Sequence, residues 1–95
     1  MIDDVMREEH ERALRIKNAM HAELETLPKG YISRKKIRGK LTCYLQWREG
    51  SKVKSRYIPP AQLSAVNKQV ERRKQLEQSV RAVDQNIRKI EKMLK

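Results

Sequence analysis

Few residues in this chain could do covalent or metal chemistry, and their spacing does not suit it. His10 and His21 stand eleven residues apart. On a helix that is nearly the same face but a separation of about 16 Å, so the two cannot share one ion. Cys43 is the single cysteine, set between Leu41 and Leu45. There it reads as a buried structural thiol, because a nucleophilic thiol needs partial exposure and an electropositive surround. Glu8, Glu9, Glu11, Glu23 and Glu25 make an acidic first segment. Carboxylates do acid–base work only in a dry pocket that shifts their pKa values, and a thin two-layer chain of 95 residues offers little room for one. Gly30, Gly39 and Gly50 are isolated and look like turn residues, with no glycine-rich phosphate loop among them. No nucleophile, base and oxyanion set can be assembled, so the expectation is a protein that is not an enzyme, with no metal and no cofactor.

The chemistry that remains is charge. The net charge is +11, and it is unevenly placed. Residues 1–28 balance at −3, residues 29–58 at +9 and residues 59–95 at +5. An ordinary surface intersperses both signs, yet Glu49 is the only acid among residues 29–58, against ten Lys and Arg. A field of one sign attracts polyanions.

The elements that must hold these cations follow from breakers and periodicity. Residues 1–28 read as a helix running from Asp3 to Leu27 without Gly or Pro, with Met6, Ala13, Met20 and Leu27 recurring every seven residues and Ile2, Ile16 and Leu24 widening the stripe. Pro28 and Gly30 end it. Residues 29–58 change to a period of two, in "YISRKKI", "LTCYLQWR" and "KVKSRYI". The separators "RGK" and "EGS" each carry a glycine suited to a tight turn, which gives a three-stranded antiparallel meander over Tyr31–Ile37, Leu41–Arg48 and Lys52–Ile58. After Pro59 and Pro60, residues 59–95 read as one long helix. The fold class is therefore α+β in a single domain, with coiled-coil character in the last helix.

Alternation sorts the meander into two faces. Leu41, Cys43, Leu45 and Trp47 form the expected core side, joined by Ile37, Val53 and Tyr57. The other side then gathers Arg34, Lys36, Arg38, Tyr44, Gln46, Arg48, Lys54 and Arg56, with Thr42 among them. Lys and Arg neutralise phosphates, Arg and Gln read base edges, and a Tyr offers a ring for stacking. The expected ligand is nucleic acid, duplex DNA above RNA because a strand ribbon fits the major groove of B-form DNA. The competing expectation is a protein-interaction module, or a phage-type inhibitor, docking on an acidic protein or ribonucleoprotein.

Leu76, Val80, Val83, Ile87, Ile90 and Leu94 are spaced four and three apart, a heptad seam. Extrapolated back, it meets Arg73. A seam on a helix longer than its partner predicts pairing with a second copy of the chain, hence a homodimer. No apolar signal core or spanning segment is present, and one cysteine suits a reducing compartment, so the expected location is cytoplasmic.

The segment "KGYISRKKIRGKLTCYLQWREGSKVKSRYIP", followed by a charged heptad helix, resembles a family of small uncharacterised prokaryotic proteins also carried by mobile elements. Gly30, the "RGK" turn, "YLQWREG" and "KVKSRYI" carry the resemblance over about a third of the chain. It implies a helix, meander and helix arrangement and brings no activity and no catalytic residue. In architecture alone, a basic three-stranded sheet backed by a helix also looks like the arm-binding domains of tyrosine recombinases.

Overall fold

From Ile2 to Leu27 no glycine or proline interrupts the chain, and it coils into α1 (Ile2–Glu25) in the computed structural model, which describes residues 2–94. Asp3 and Asp4 lie in its first turn, where the positive end of the helix favours them. At the other end the Thr26 N–H and hydroxyl both donate to the Glu23 carbonyl, at 3.0 and 2.6 Å. Three antiparallel strands follow in the order β1 (Tyr31–Ile37), β2 (Lys40–Glu49), β3 (Lys52–Ile58). Pro59 then starts a single 3-10 turn, Pro60–Gln62, which feeds α2 (Leu63–Leu94). The architecture is the expected α+β one.

The chain divides into two compact units, Met1–Thr26 with Gln75–Lys95, and Leu27–Lys74. In the first, Lys17 Nζ meets Asp84 Oδ1 at 2.6 Å and His10 Nε2 lies 3.3 Å from Glu91 Oε2. Seven residues back along α1 correspond to seven forward along α2, so the two helices run antiparallel. Ala13, Leu24, Leu76, Val80, Ile87 and Ile90 are buried. The stripe on α1 differs from the expected one. It passes through Met6, His10, Ala13, Lys17, Met20 and Leu24, each half-buried or buried, whereas Ile2 and Ile16 are exposed. Two polar residues thus occupy stripe positions, and each meets a carboxylate on α2. A lysine can do this because its four-carbon stem packs while its ammonium reaches outward.

The second unit is the sheet with the first turns of α2. Cys43, Leu45, Ile58, Val66 and Val70 form its core, and Ile32, Trp47 and Leu63 pack against them. Val66 and Val70 are one helical turn apart and so present one face. Arg73 Nη1 donates to the Leu27 carbonyl at 3.0 Å in a part-buried contact. That is the place in the heptad series where an arginine stands instead of an apolar residue.

The turns decide which strand residues share this core. Ile37 pairs with Lys40 and Glu49 with Lys52, so both connections are two-residue turns, Arg38–Gly39 and Gly50–Ser51. Arg38 has φ 53° and Gly39 φ 79°, the two positive values a type I′ hairpin requires. Three-residue loops would pair Ile37 with Leu41. One residue fewer moves every side chain of the outer strands to the opposite face. Hence Ile37, Val53 and Tyr57, expected in the core, are exposed at 45, 61 and 52 %, and Ile32 and Ile58 take the inward positions. Leu41 keeps its expected side but lies beyond the end of the core, 63 % exposed.

Candidate nucleic-acid interface

The face of the sheet turned away from α2 is built row by row from the strand pairing. Ile37 stands beside Lys40, and Lys35 beside Thr42. Ser33, Tyr44 and Tyr57 form the middle row; Tyr31, Gln46 and Ser55 form the next; Arg48 and Val53 close the far end. Strand alternation places all twelve on one side. Gly30 sets where this face begins. Its φ is 106°, and a Cβ there would stand 1.9 Å from the Gln46 carbonyl oxygen, so only glycine lets the chain enter β1 this close to β2.

Contacts on the face join its strands. Tyr44 and Tyr57 meet edge to face with centroids 5.9 Å apart, the Tyr31 hydroxyl donates to Gln46 Oε1 at 2.9 Å, and Lys35 Nζ lies 5.6 Å from the centre of the Tyr44 ring. Three cations, three tyrosines and four further hydrogen-bonding side chains share a surface that carries no acid.

The residues assigned from sequence to a single basic surface are divided by the register. Tyr44, Gln46 and Arg48 lie on the open face, and Arg38 is in the β1–β2 turn. Arg34, Lys36, Lys54 and Arg56 lie on the α2 side: they pair with Cys43, Leu41, Trp47 and Leu45 respectively. Being on outer strands, they flank the helix and stay exposed. Arg34 lines a groove with Asn67, Glu71 and Lys74 of α2; Arg56 lines a cleft with Lys29, Leu45 and Trp47. Positive charge therefore borders the α2 side of the sheet at both outer strands as well as dotting its open face. Sequence reasoning missed Tyr31, Ser33, Lys35, Ser55 and Tyr57 on the open face. The signal that finds them is turn length.

The one acid of this segment is engaged on the α2 side. Glu49 accepts from Lys54 at 3.0 Å and from Trp47 Nε1 at 3.1 Å. The hydrogen bond from Lys54 comes first, then that from Trp47, in holding its carboxyl below the usual carboxylate range. Its charge is matched by that of Lys54 on the same side of the sheet.

The seam assigned to oligomerisation is filled within the chain. Leu76, Val80, Ile87 and Ile90 are buried and Val83 and Leu94 half-buried, in the unit that contains α1. The extra length of α2, whose partner was expected to be a second copy, is at its other end and packs on the sheet through Val66 and Val70.

Among the described residues no group of three or more His, Cys, Asp or Glu side chains is placed to hold a metal ion, and no helix is long and apolar enough to cross a membrane. Cys43 is free and buried.

The domain of unknown function DUF6788 matches residues 6–72, more than half of the chain. The chain belongs to the DUF6788 family. The matched span takes in most of α1, all three strands and the start of α2, so the DUF6788 region includes the whole sheet and every core residue beneath it. No curated protein and no solved structure matches the chain at a significant level.

Proposed function

We propose that this DUF6788 protein is a non-enzymatic nucleic-acid-binding protein whose basic sheet is the contact surface. The observation that carries the proposal is the open face, where Lys35, Lys40 and Arg48 surround tyrosines and amide or hydroxyl side chains without a single carboxylate. Lys and Arg that neutralise phosphates release counterions, and hydroxyl and amide groups add hydrogen bonds to phosphate or base. Arg34, Lys36, Lys54 and Arg56, on the sheet's other side, extend the attracting field without belonging to the face. The helix seam is occupied inside the chain, so the proposal needs no second copy.

The test is binding of the purified chain to nucleic acid over a salt series. Contact with about four to six phosphates gives a log–log slope of roughly −4 to −5 on duplex DNA and a shallower one on single strands. Absence of binding at low salt would overturn the proposal.

A second reading, a protein-interaction module, is favoured by Ile37 and Val53, apolar side chains exposed on the same face. A stoichiometric protein partner that survives nuclease treatment would support it.

A further inference from the structure

Resting on the nucleic-acid reading, we infer that the open face takes single-stranded nucleic acid, with unstacked bases laid on Tyr31, Tyr44 and Tyr57 and phosphates held by Lys35, Lys40 and Arg48. The chain has only four aromatic residues, with no Phe. All three tyrosines are on this face, while Trp47 is on the other and packs against the core. A domain this poor in apolar side chains gains most by burying its rings. Here Tyr31 and Tyr57 instead leave 55 and 52 % of their surface to water, and the inward positions go to Ile32 and Ile58.

Their placement is that of a platform. Tyr57 stands directly across from Tyr44, and Tyr31 is displaced by one row on the far strand, a diagonal neighbour at about 7–8 Å. The three rings therefore cross all three strands. Ser33, Thr42, Gln46 and Ser55 are interleaved with them, within reach of base edges. Lys35 and Lys40 lie toward one end of the face and Arg48 at the other, with about 20 Å of strand between the rows of Lys35 and Arg48. Bases between those two ends meet rings and hydroxyls, and the backbone meets cations.

A duplex fits this surface less well. Stacked bases show a protein only their edges, and groove readout places Arg, Lys, Asn or Gln where those edges are. The middle row here carries the Tyr44 and Tyr57 rings, with π faces that only an unstacked base can cover. Lys35 already shows that one such face is accessible, since its ammonium lies 5.6 Å from the Tyr44 centroid. A base arriving there displaces the ammonium, which then meets the adjoining phosphate.

The test compares the full chain on a single-stranded oligonucleotide, the same sequence as a duplex, and an abasic strand of equal length. The wild-type protein is expected to prefer the single strand to both others. In Y31A/Y57A the affinity for the single strand should fall about thirtyfold or more, the loss of stacking on two rings at about 1–3 kcal/mol each. Its salt slope and its affinity for the abasic strand should stay as in the wild type. Y31F/Y57F, which keeps the rings, should restore binding. A wild-type preference for duplex, or undiminished single-strand binding by Y31A/Y57A, overturns the inference and leaves the nucleic-acid reading standing. If the wild type binds none of the three at low salt, both fall together. The wild-type comparison decides the matter even where a substituted chain does not fold.

Discussion

The rings of Tyr44 and Tyr57 meet edge to face across β2 and β3, 5.9 Å between centroids and 67° between planes, on the side of the sheet that faces water. A cross-strand aromatic pair ties the two strands together as well as forming part of a surface, and such pairs contribute about 0.5–1 kcal/mol beyond their area. A double-mutant cycle with Y44A and Y57A, read by denaturant unfolding, should give a coupling of that size. Coupling near zero would mean that the rings do not share one face.

Gly30 is the residue on which entry to the sheet depends. Gly30→Ala adds a Cβ that would stand 1.9 Å from the Gln46 carbonyl oxygen, at a φ of 106° that side chains rarely adopt. The variant should lose about 2 kcal/mol or more, seen as a lower denaturation midpoint. G39A meets no atom within 4 Å and is strained only through its φ of 79°, so its loss should be the smaller of the two.

The outline of the fold was legible because breakers and periods mark it: Pro28 and Gly30 end one helix, Pro59 and Pro60 precede the next, and a period of two lies between. The faces of β2 were legible too, but those of β1 and β3 were not. They depend on whether "RGK" is a three-residue loop or a two-residue turn followed by a strand residue, and an arginine at positive φ ahead of Gly39 is a weak turn signal beside Asn-Gly or Asp-Gly. Ile58 held the correcting clue. It is out of phase with Val53 and Tyr57, so only one of these sets can face the core. On α1 the stripe was misread at His10 and Lys17, because a hydrophobicity pattern does not register a polar side chain that packs by its stem and finds a carboxylate on the facing helix.

Filling of the seam within one chain makes its truncation a folding defect. Leu76→Ala or Ile87→Ala should cost about 2–5 kcal/mol, equally at every protein concentration. Ile2→Ala, at an exposed position, should fall within about 0.5 kcal/mol of the wild type. A Leu76→Ala effect that appears only as a change of oligomeric state would show instead that the seam joins two copies.

Acid should loosen the helical hairpin. The hydrogen bond from Lys17, aided by the charges of Lys17 and Arg88 and opposed by partial desolvation, holds the Asp84 carboxyl below its ordinary value. A carboxyl whose pKa is lower folded than unfolded binds protons more readily in the unfolded chain. Its contribution is therefore complete above the unfolded value, about 4, and is lost as pH falls through the folded one. Thermal melts of the wild type should show this decline on acidification, and D84N should show a weaker one. Equal pH dependence in the two proteins would exclude the Lys17–Asp84 pair as its source.

The central claim, that the open face of the sheet is the nucleic-acid contact surface, is tested most directly by comparing two charge-removal pairs in a salt series on a single-stranded oligonucleotide. K35A/R48A removes cations from the open face, and R34A/R56A removes the same number from the α2 side. The account predicts that K35A/R48A weakens binding the more and makes the salt slope shallower by about 1.5, roughly two phosphate contacts, while R34A/R56A leaves the slope nearly unchanged. The reverse order, with R34A/R56A carrying the loss, would place the contact surface on the side of the sheet that holds α2.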